Sequence, residues 1–465
     1  MTSAALPRST PEAQGVATPA LRSLLSALDS ELDSVHGVVI VRHGHIVAEA
    51  GWAPYGVERP HAMYSVSKSF TASAVGFAVA EGLLTVDDRL IDHFPEAAPT
   101  EPDARLRELR VRHLLTMTTG HADDTTDILL EADDRVSAFL RIPLAADPGT
   151  LFVYNTGASY VLSALVQRLT GERLLDYLTP RLLEPLGITG ARWEQDHNGI
   201  DMGGFGLTIT TRDVAAFGQL FLQKGAFGGR QLLSPEWVET ASSPLVPNSG
   251  DNPDWQQGYG YQMWTSRHGY RGDGAFGQFC LVLPDDDAVI AITGSLPDMQ
   301  KPLDILWAHR EALFGETPPA SDGAGTPLVA QLQVPGPASV VALPAALSGV
   351  RYTIDDGGFE AIRVEPDAVG TALVLTAGGV DHRIAVGADT WAPGITDFAP
   401  HPGMAIISRG GWADEYTFRA RTLAADDPHG FDHELVFDGD GVVWTSRELV
   451  SFGPIVTQRA EGRRA

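Results

Sequence analysis

The chain has 465 residues, of which 59 are acidic and 33 are basic, so its net charge is −26 at pH 7. A surface this acidic repels phosphate backbones and anionic lipid headgroups, and we therefore expect neither nucleic acid nor a membrane surface among its partners. A hydrophobic fraction of 44% and a charged fraction of 20% are ordinary for globular domains, and they exclude a disordered chain or a collagen-like fibre.

Two features of the sequence bear on the compartment. Cys280 is the only cysteine, so no disulfide forms within the chain, which fits a reducing environment. The N-terminal residues contain prolines and lack the apolar run of a signal peptide, and no later run approaches the roughly 18 apolar residues of a transmembrane helix. We therefore expect a cytoplasmic protein.

The spacing of apolar residues predicts the main elements in chain order. Helical periodicity predicts three long helices, over residues 18–34, 65–82 and 297–313. Thr18 is the expected N-cap of the first helix, and Gly82 ends the second. Strand patterns occupy residues 37–42, 45–52, 258–267, 276–283 and 288–293. Short helices and loops fill residues 83–240. An α+β fold follows, in which terminal helices flank an antiparallel sheet beside a helical lobe.

A change in composition divides the chain into two domains. Residues 319–340 are rich in proline, glycine and alanine and are predicted to link a first domain, residues 1–318, to a smaller one, residues 341–465. Short alternating segments in the second domain are separated by turn residues, which predicts an all-β, barrel-like structure. We find no group of reactive side chains there, so we expect the catalytic residues in the first domain.

The strongest chemical feature is Ser65 with Lys68 three residues later at the start of a predicted helix. Residues at this spacing lie one turn apart on one helix face, so the lysine can reach the serine hydroxyl. Lysine becomes a base when burial lowers its pKa, whereas arginine stays protonated. Lys68 is one of only three lysines in the chain. The alternative interpretation is a surface lysine beside an N-cap serine.

Two later segments are possible partners of this pair. Tyr154 offers a phenol whose pKa would fall beside a cationic Lys68, although a tyrosine in the core is the alternative. The glycine-rich strand over residues 271–279 suggests close approach of backbone to a ligand, although a bulged edge strand is the alternative. A backbone N–H from this strand and that of Ser65 would form an oxyanion hole.

Taken together, these segments resemble the superfamily of serine β-lactamases and related enzymes, which includes class C β-lactamases, DD-peptidases, family VIII carboxylesterases and nylon-oligomer (6-aminohexanoate-dimer) hydrolases. The resemblance covers residues 7–315. Further stretches that fit are PRSTPEAQGV, LLTVDDRL, VRHLLTMTTGH, EPLGITGARW and GGFGLTITTRDVAAFGQLFLQKG. It implies a β-lactamase/transpeptidase-like fold, with Ser65 as acylated nucleophile, Lys68 as base and Tyr154 as catalytic tyrosine. The N–H groups of Ser65 and Ala275 would form the oxyanion hole.

Two motifs depart from the family pattern. The usual Tyr-x-Asn reads Tyr154-Asn155-Thr156, so either Asn155 or Thr156 fills the polar role. The usual Lys-Thr-Gly or His-x-Gly reads Gly272-Asp273-Gly274, so the cation that binds a substrate carboxylate is missing at its place, and neither Arg271 nor His268 is in register to replace it. The expected substrate-binding residues are Asn155, Thr156, Gly272, Asp273, Gly274 and Gln278; the last completes a G-x-x-G-Q pattern like that of the nylon-oligomer hydrolases.

We therefore expect a serine hydrolase that cleaves a small-molecule ester or amide through an acyl-serine intermediate, as a carboxylesterase or an amide hydrolase of the nylon-oligomer type. The absence of a G-x-S-x-G motif argues against an α/β-hydrolase. No cofactor or metal is expected, because no zinc-binding spacing occurs and His113 and His121 fit loop or packing roles. The alternatives are a β-lactamase or DD-peptidase, and a non-catalytic ligand-binding member of the same fold. The sequence leaves the oligomeric state open.

Overall fold

The structure, a computed structural model, describes residues 5–248, 250–315, 326–355, 358–397 and 403–465. Its α-helices are α1 (Thr18–Glu31), α2 (Ser67–Ala80), α3 (Leu90–His93), α4 (Ala104–Glu108), α5 (Val111–Leu115), α6 (Thr126–Leu130), α7 (Arg135–Arg141), α8 (Thr156–Thr170), α9 (Leu174–Leu178), α10 (Glu184–Leu186), α11 (Thr211–Leu222), α12 (Pro235–Ala241) and α13 (Gln300–Phe314). No helix in these ranges is long and apolar enough to cross a membrane.

Strands occur in two groups along the chain. Those up to residue 333 are β1 (Val35–Arg42), β2 (His45–Ala53), β3 (His61–Ala62), β4 (Arg192–Trp193), β5 (Leu207–Ile209), β6 (Ala226–Phe227), β7 (Arg230–Gln231), β8 (Trp264–Thr265), β9 (Tyr270–Gly274), β10 (Gln278–Leu283), β11 (Ala288–Gly294) and β12 (Leu328–Gln333). Those beyond are β13 (Tyr352–Ile354), β14 (Ala361–Asp367), β15 (Gly370–Ala377), β16 (Val380–Gly387), β17 (Ala392–Thr396), β18 (Met404–Trp412), β19 (Thr417–Ala424), β20 (Gly430–Asp438), β21 (Gly441–Glu448) and β22 (Thr457–Arg464).

The first region is built on a seven-stranded sheet with the order β12-β2-β1-β11-β10-β9-β8. Helix α1 packs against α13, and their apolar residues share one core with one face of the sheet. Helix α11 packs on β1, β10 and β11, and α2 packs against α8 of the helical lobe in a second core. A sheet flanked by helices beside a helical lobe confirms the predicted α+β fold. The turn between β1 and β2 lies at His43 and Gly44, both with positive φ.

The structure corrects two local predictions. Helix α1 does begin at Thr18, but its N-cap is Ala17, which has no side-chain acceptor to offer. The glycine-rich segment is a hairpin rather than one strand: β9 ends at Gly274, and β10 begins at Gln278. The turn contains Phe276 at φ +65° and Gly277 at φ +90°. Because two strands replace one, Ala275 lies half-buried in the turn between them.

The predicted linker contributes to the first sheet. Residues 316–325 lie outside the described part of the chain, but β12, within the predicted linker, pairs in parallel with β2 and opposes Leu328 to Ala48. Parallel pairing with a distant strand leaves no local signal beyond a short apolar alternation. The connection between the two regions is therefore partly ordered as an edge strand.

The C-terminal region is a closed barrel of nine strands, with β17 paired to the outside of β18. Its interior holds a separate apolar core that includes Tyr352, Trp412 and Trp444. The barrel docks on the first region through the segment that follows β19. There, the hydroxyl of Tyr55 donates to the carbonyl of Ala424 at 2.6 Å. The all-β prediction for this region is confirmed, and the docking brings barrel loops towards the first domain.

Candidate active site

Ser65 lies at the base of an open cleft of about 910 Å³. A 3₁₀ turn, Tyr64–Val66, leads directly into α2, and this turn places the Ser65 side chain at the N-terminal end of a nearly fully buried helix. Tyr64 has φ +47°, a left-handed conformation that is uncommon for a residue with a side chain. Such backbone strain persists only where neighbouring contacts hold it.

Lys68 contacts Ser65 as the i, i+3 spacing predicts. Its Nζ donates to the Ser65 Oγ at 2.8 Å and to the carbonyl of Gly204 at 2.8 Å, and its side chain is only 1% exposed. Burial lowers the pKa of Lys68 to about 7, although the carboxylates of Asp124 and Asp273 oppose the shift. A lysine whose pKa lies near neutrality has a substantial unprotonated fraction and is able to accept a proton.

Tyr154 lines the cleft beside Ser65 and contacts the buried Lys68, but its pKa differs from expectation. The Lys68 Nζ lies 4.8 Å from the centre of the Tyr154 ring, and the indole of Trp264 packs against the same tyrosine at 5.2 Å. Burial and the charge of Asp273 raise the pKa of Tyr154, and the Ser65 side chain only partly opposes them. The expected lowering beside a cationic lysine is therefore wrong, since desolvation dominates and the phenol stays neutral.

The glycines of β9 permit close approach of backbone to the segment that carries Ser65 and Ser69. A Cβ on Gly274 would lie 2.2 Å from the carbonyl oxygen of Met63 and 3.1 Å from the Ser65 nitrogen, and one on Gly272 would lie 2.9 Å from the Ser69 Oγ. These glycines thus pack against the turn that carries Ser65. Both Ser65 and Ala275, whose N–H groups are the expected oxyanion-hole donors, line the cleft.

The residues after Tyr154 have distinct positions. Asn155 is fully buried, and its Oδ1 caps α8 by accepting from the Ala158 N–H at 3.2 Å and also accepts from the Thr125 hydroxyl at 2.8 Å. Thr156 lines the cleft, and its N–H donates to the Asp124 Oδ1 at 2.9 Å. Asp124, whose side chain is exposed, lines the cleft as well. The structure brings Thr156, and not the Asn155 side chain, to the cleft.

Asp273 lines the cleft, and its carboxylate is near enough to Lys68 to raise the pKa of that lysine. The Arg271 guanidinium lies behind it, with Nη2 3.0 Å from the Asp273 Oδ2 and no exposed surface. Gln278, by contrast, does not line the cleft. Its Nε2 donates to the carbonyls of Ala275, at 3.0 Å, and Gly294, at 2.9 Å, so it holds the turn that presents the Ala275 N–H.

The remaining lining of the cleft is acidic and aromatic. The lining residues that the sequence analysis missed include three from segments without any motif: Asp251, Trp255 and Asp298. A fourth, Phe452, comes from the C-terminal barrel. Among the described lining residues there is no arginine, lysine or histidine. The cleft thus offers carboxylates and ring faces to a substrate and no cation to a substrate carboxylate.

The described part of the chain contains no group of three or more His, Cys, Asp or Glu side chains placed to hold a metal ion. His113 contacts the backbone of Arg110, and His121 packs against the ring of Phe139. His268 packs against Trp307 and lies outside the cleft lining. All three histidines serve packing or local hydrogen bonding.

Comparison with known proteins places this site in a defined group. A family model described as Beta-lactamase matches residues 26–312. The 6-aminohexanoate-dimer hydrolase of Paenarthrobacter ureafaciens is 26% identical over 316 residues, which are 62% of this chain and 80% of that protein. Penicillin-binding protein 4 of Amycolatopsis lactamdurans is 28% identical over 269 residues, 49% of this chain and 70% of that protein.

One solved structure extends the likeness to both regions. The octameric penicillin-binding protein homologue from Pyrococcus abyssi superimposes with a TM-score of 0.51 at 16% identity, covering 95% of this chain and 99% of that one. At this identity the likeness concerns the fold alone. It confirms the predicted β-lactamase/transpeptidase-like architecture.

Proposed function

The chain belongs to the β-lactamase family, and we propose that it is a serine hydrolase that cleaves an ester or amide through an acyl-Ser65 intermediate. The observation that carries the proposal is the 2.8 Å hydrogen bond between the Lys68 Nζ and the Ser65 Oγ, made by a lysine that is 1% exposed. A serine hydroxyl needs a base to become a nucleophile, and a lysine whose pKa is about 7 supplies one at neutral pH.

In the acylation step, the neutral amine of Lys68 takes the Ser65 proton while the Ser65 Oγ bonds to the substrate carbonyl carbon. The charge that develops on the carbonyl oxygen is stabilised by the N–H groups of Ser65 and Ala275. When the bond to the leaving group breaks, the neutral Tyr154 hydroxyl donates a proton to it and regains one from the Lys68 ammonium. The products are the acyl-enzyme and a free alcohol or amine.

In the deacylation step, a water molecule attacks the acyl carbon and gives its proton to Lys68. The tetrahedral intermediate uses the same two N–H groups. Ser65 then leaves as the tetrahedral intermediate collapses and takes the proton back from Lys68, which restores the resting site and releases the free acid. No step needs a metal ion or cofactor.

The cleft lining favours neutral or amine-bearing substrates. Its carboxylates come from Asp124, Asp251, Asp273 and Asp298, and a substrate carboxylate in a partly desolvated cleft beside them would be repelled. The ring faces of Trp255 and Trp264 attract both apolar groups and cations. The likeness to a 6-aminohexanoate-dimer hydrolase supports an amide among the substrates. The amine end of such a dimer suits this lining, whereas its carboxylate end does not. β-Lactams and peptidoglycan peptides, which carry carboxylates, fit this lining less well.

The test is to capture the acyl-enzyme. Wild-type protein is mixed with p-nitrophenyl butyrate and quenched in acid, and mass spectrometry locates the butyryl group on the peptide that contains Ser65. Ser65→Ala should form no adduct and lose on the order of a million-fold in turnover. Ser73→Ala is the matched control, since Ser73 is buried on the same helix and donates only to the Ser69 carbonyl at 2.9 Å.

Two outcomes would contradict the proposal. Turnover by Ser65→Ala above a few per cent of wild type would place the nucleophile elsewhere. A wild type that forms no adduct and releases no p-nitrophenol, but binds esters, would favour the non-catalytic, ligand-binding alternative.

A further inference from the structure

The residue before the nucleophile is held by the C-terminal barrel. The Tyr64 hydroxyl lies 3.1 Å from the Oδ2 of Asp427 and 3.1 Å from the Nδ1 of His429, both in the loop between β19 and β20. Burial and the Asp427 carboxylate raise the pKa of Tyr64, so its phenol stays neutral and donates to the carboxylate. A left-handed residue directly before Ser65 is thus tied to a side chain more than 360 positions away.

Asp427 is itself fixed by its own loop. Its Oδ1 accepts from the His429 N–H at 2.9 Å and lies 2.6 Å from the His429 Nδ1, which leaves Oδ2 for Tyr64. The loop is also anchored by backbone, because the Ala62 N–H donates to the Asp426 carbonyl at 2.7 Å. The anchor and the Tyr64 hydrogen bond flank Met63, whose carbonyl packs on Gly274. The barrel loop therefore forms hydrogen bonds with Ala62 and Tyr64, on the N-terminal side of Ser65.

The other oxyanion segment meets the barrel at the same place. Phe276 follows Ala275, has φ +65°, and directs its ring edge-on to Tyr64 at 5.5 Å and 83°. The same Phe276 ring contacts His429 at 5.3 Å and Phe452 at 4.8 Å. We call Tyr64, Phe276, His429 and Phe452 the aromatic bridge. It joins the two strained residues that neighbour the oxyanion N–H groups to two barrel loops.

Phe452 also has a face free for ligand. Its side chain is 76% exposed, although it packs against two rings of the bridge, and it lines the cleft that contains Ser65. An exposed aromatic residue at the mouth of a pocket offers apolar contact to a bound group. Its position in the loop between β21 and β22 makes the barrel a wall of the cleft.

From these contacts we propose that the C-terminal barrel completes the active site, with Asp427 as a positioning residue that holds Tyr64, and through it the Ser65 N–H, and with Phe452 as a specificity-determining wall for the apolar part of the substrate. The proposal rests on the proposed serine hydrolase function. Transition-state charge is stabilised only when both N–H groups point at one oxygen, and misplacement by about 1 Å costs roughly a hundredfold in rate. The barrel maintains that alignment by holding the neighbours of both groups.

The positioning role is tested with full-length Tyr64→Phe and Asp427→Ala, using p-nitrophenyl butyrate. Each should lower kcat by about tenfold to a hundredfold with KM little changed, because the lost interaction acts in the transition state. The double variant should be no slower than the slower single variant, since both remove one hydrogen bond. Asp427→Asn keeps an acceptor and should recover most of the rate. Asp432→Ala, which breaks an ion pair with Arg421 in the barrel, is the matched control.

The role of Phe452 as an apolar wall of the cleft is tested with p-nitrophenyl esters that differ in the length of the acyl chain. Phe452→Ala should lower kcat/KM for p-nitrophenyl octanoate by about tenfold relative to the acetate, mainly through KM, because an apolar contact of roughly 1–2 kcal/mol is lost. An unchanged octanoate-to-acetate ratio would overturn the role of Phe452. The exposed Tyr416 of the barrel, changed to alanine, is the control for surface aromatic loss.

Failure of the barrel proposal and failure of the proposed hydrolase function would give different experimental results. If wild type forms no Ser65 adduct and shows no turnover, the hydrolase function fails. If wild type is acylated and active, and Tyr64→Phe, which removes only one oxygen, keeps the wild-type kcat, the positioning role of the barrel is overturned. Should Asp427→Ala fail to fold, as thermal melting would show, Tyr64→Phe and Asp427→Asn still decide the matter.

Discussion

The guanidinium of Arg271 lies 3.0 Å from the carboxylate of Asp273 and is fully buried behind it. The guanidinium also packs over the ring of Trp255 at 4.4 Å and donates to the Ser266 hydroxyl at 2.6 Å. The cation of this strand therefore pairs with Asp273 inside the protein, and Asp273, whose side chain is only 7% exposed, lines the cleft. Burial raises the pKa of Asp273 above its ordinary value, and the Arg271 guanidinium opposes that shift.

The Asp273 carboxylate should set the charge preference of the enzyme. Asp273→Asn removes the negative charge with little change in shape, so kcat/KM for an anionic ester such as a p-nitrophenyl hemisuccinate should rise by about tenfold, while an amine-bearing ester should lose by a similar factor. Neutral p-nitrophenyl butyrate is the reference. Efficient nitrocefin hydrolysis by wild type, unchanged in the variant, would refute the argument and favour a β-lactamase.

That experiment needs a control because Asp273 and Arg271 form a buried pair. Removing one partner leaves Arg271 uncompensated, which destabilises the protein by several kcal/mol where no other group compensates. Asp298→Asn changes another cleft carboxylate that lacks an arginine partner among its described contacts, where it accepts only from two backbone N–H groups. A smaller shift in the same direction for Asp298→Asn would show that charge, and not local unfolding, sets the preference.

The neutral state of Tyr154 predicts a proton donor rather than a base. Tyr154→Phe should lower kcat by roughly 10²–10⁴, because the leaving group loses its donor. The acid limb of the pH profile is the rise of kcat/KM with pH on its acid side. Since burial and Asp273 raise the pKa of Tyr154, the ionisation of this tyrosine should not produce that limb. The variant should therefore keep that limb near pH 7. Loss of the limb in Tyr154→Phe would identify the tyrosine as the base. Tyr259→Phe, in the adjoining aromatic cluster, is the control.

The lowered pKa of Lys68 predicts the pH dependence of acylation. Burial brings this pKa to about 7, so kcat/KM should rise with pH up to about pH 7 and then level off as the amine becomes neutral. Asp273→Asn should move the limb to lower pH, because the Asp273 carboxylate raises the pKa of Lys68. Lys68→Arg should be nearly as inactive as Lys68→Ala, since arginine keeps the charge but accepts no proton. An active arginine variant would show that charge alone suffices.

The parts of the site that depend on local spacing were predictable, and those that depend on distant contacts were not. The Ser65–Lys68 contact follows from helical geometry, and the His43–Gly44 turn from its residues. The division of the glycine-rich segment into β9 and β10 was missed because a continuous apolar and glycine pattern hides a turn at Ala275. The choice between Asn155 and Thr156 depends on the N-cap of α8, which only the helix boundary decides.

The contribution of the barrel to the cleft lining could not be predicted from the sequence, for a related reason. Its alternating segments predicted an all-β structure, yet β12, which joins the first sheet, fell within the predicted linker. Phe452 lies in a loop without a motif, and nothing in its neighbours indicates a place beside Ser65. Such a position is set by how two regions dock, which periodicity within either region does not encode.

Burial of Lys68 predicts that this residue, the proposed catalytic base, lowers the stability of the folded protein. In the folded protein its pKa is about 7, below the ordinary value of 10.5, so the unfolded chain binds more protons between those pH values. The penalty is therefore full below about pH 7, shrinks as pH rises from 7 to 10.5 and vanishes above. Lys68→Met, of similar shape and without charge, should be more stable than wild type at pH 6, by on the order of 2–4 kcal/mol, although it is inactive. The difference should close towards pH 10.5.

Chemical denaturation at pH 6, 8 and 10.5 measures this difference in stability, and Lys224→Met, at an exposed lysine, should show no such trend. If Lys68→Met is no more stable than wild type at pH 6, and the difference between them does not change with pH, the ammonium is solvated and the assignment of Lys68 as a neutral base is wrong.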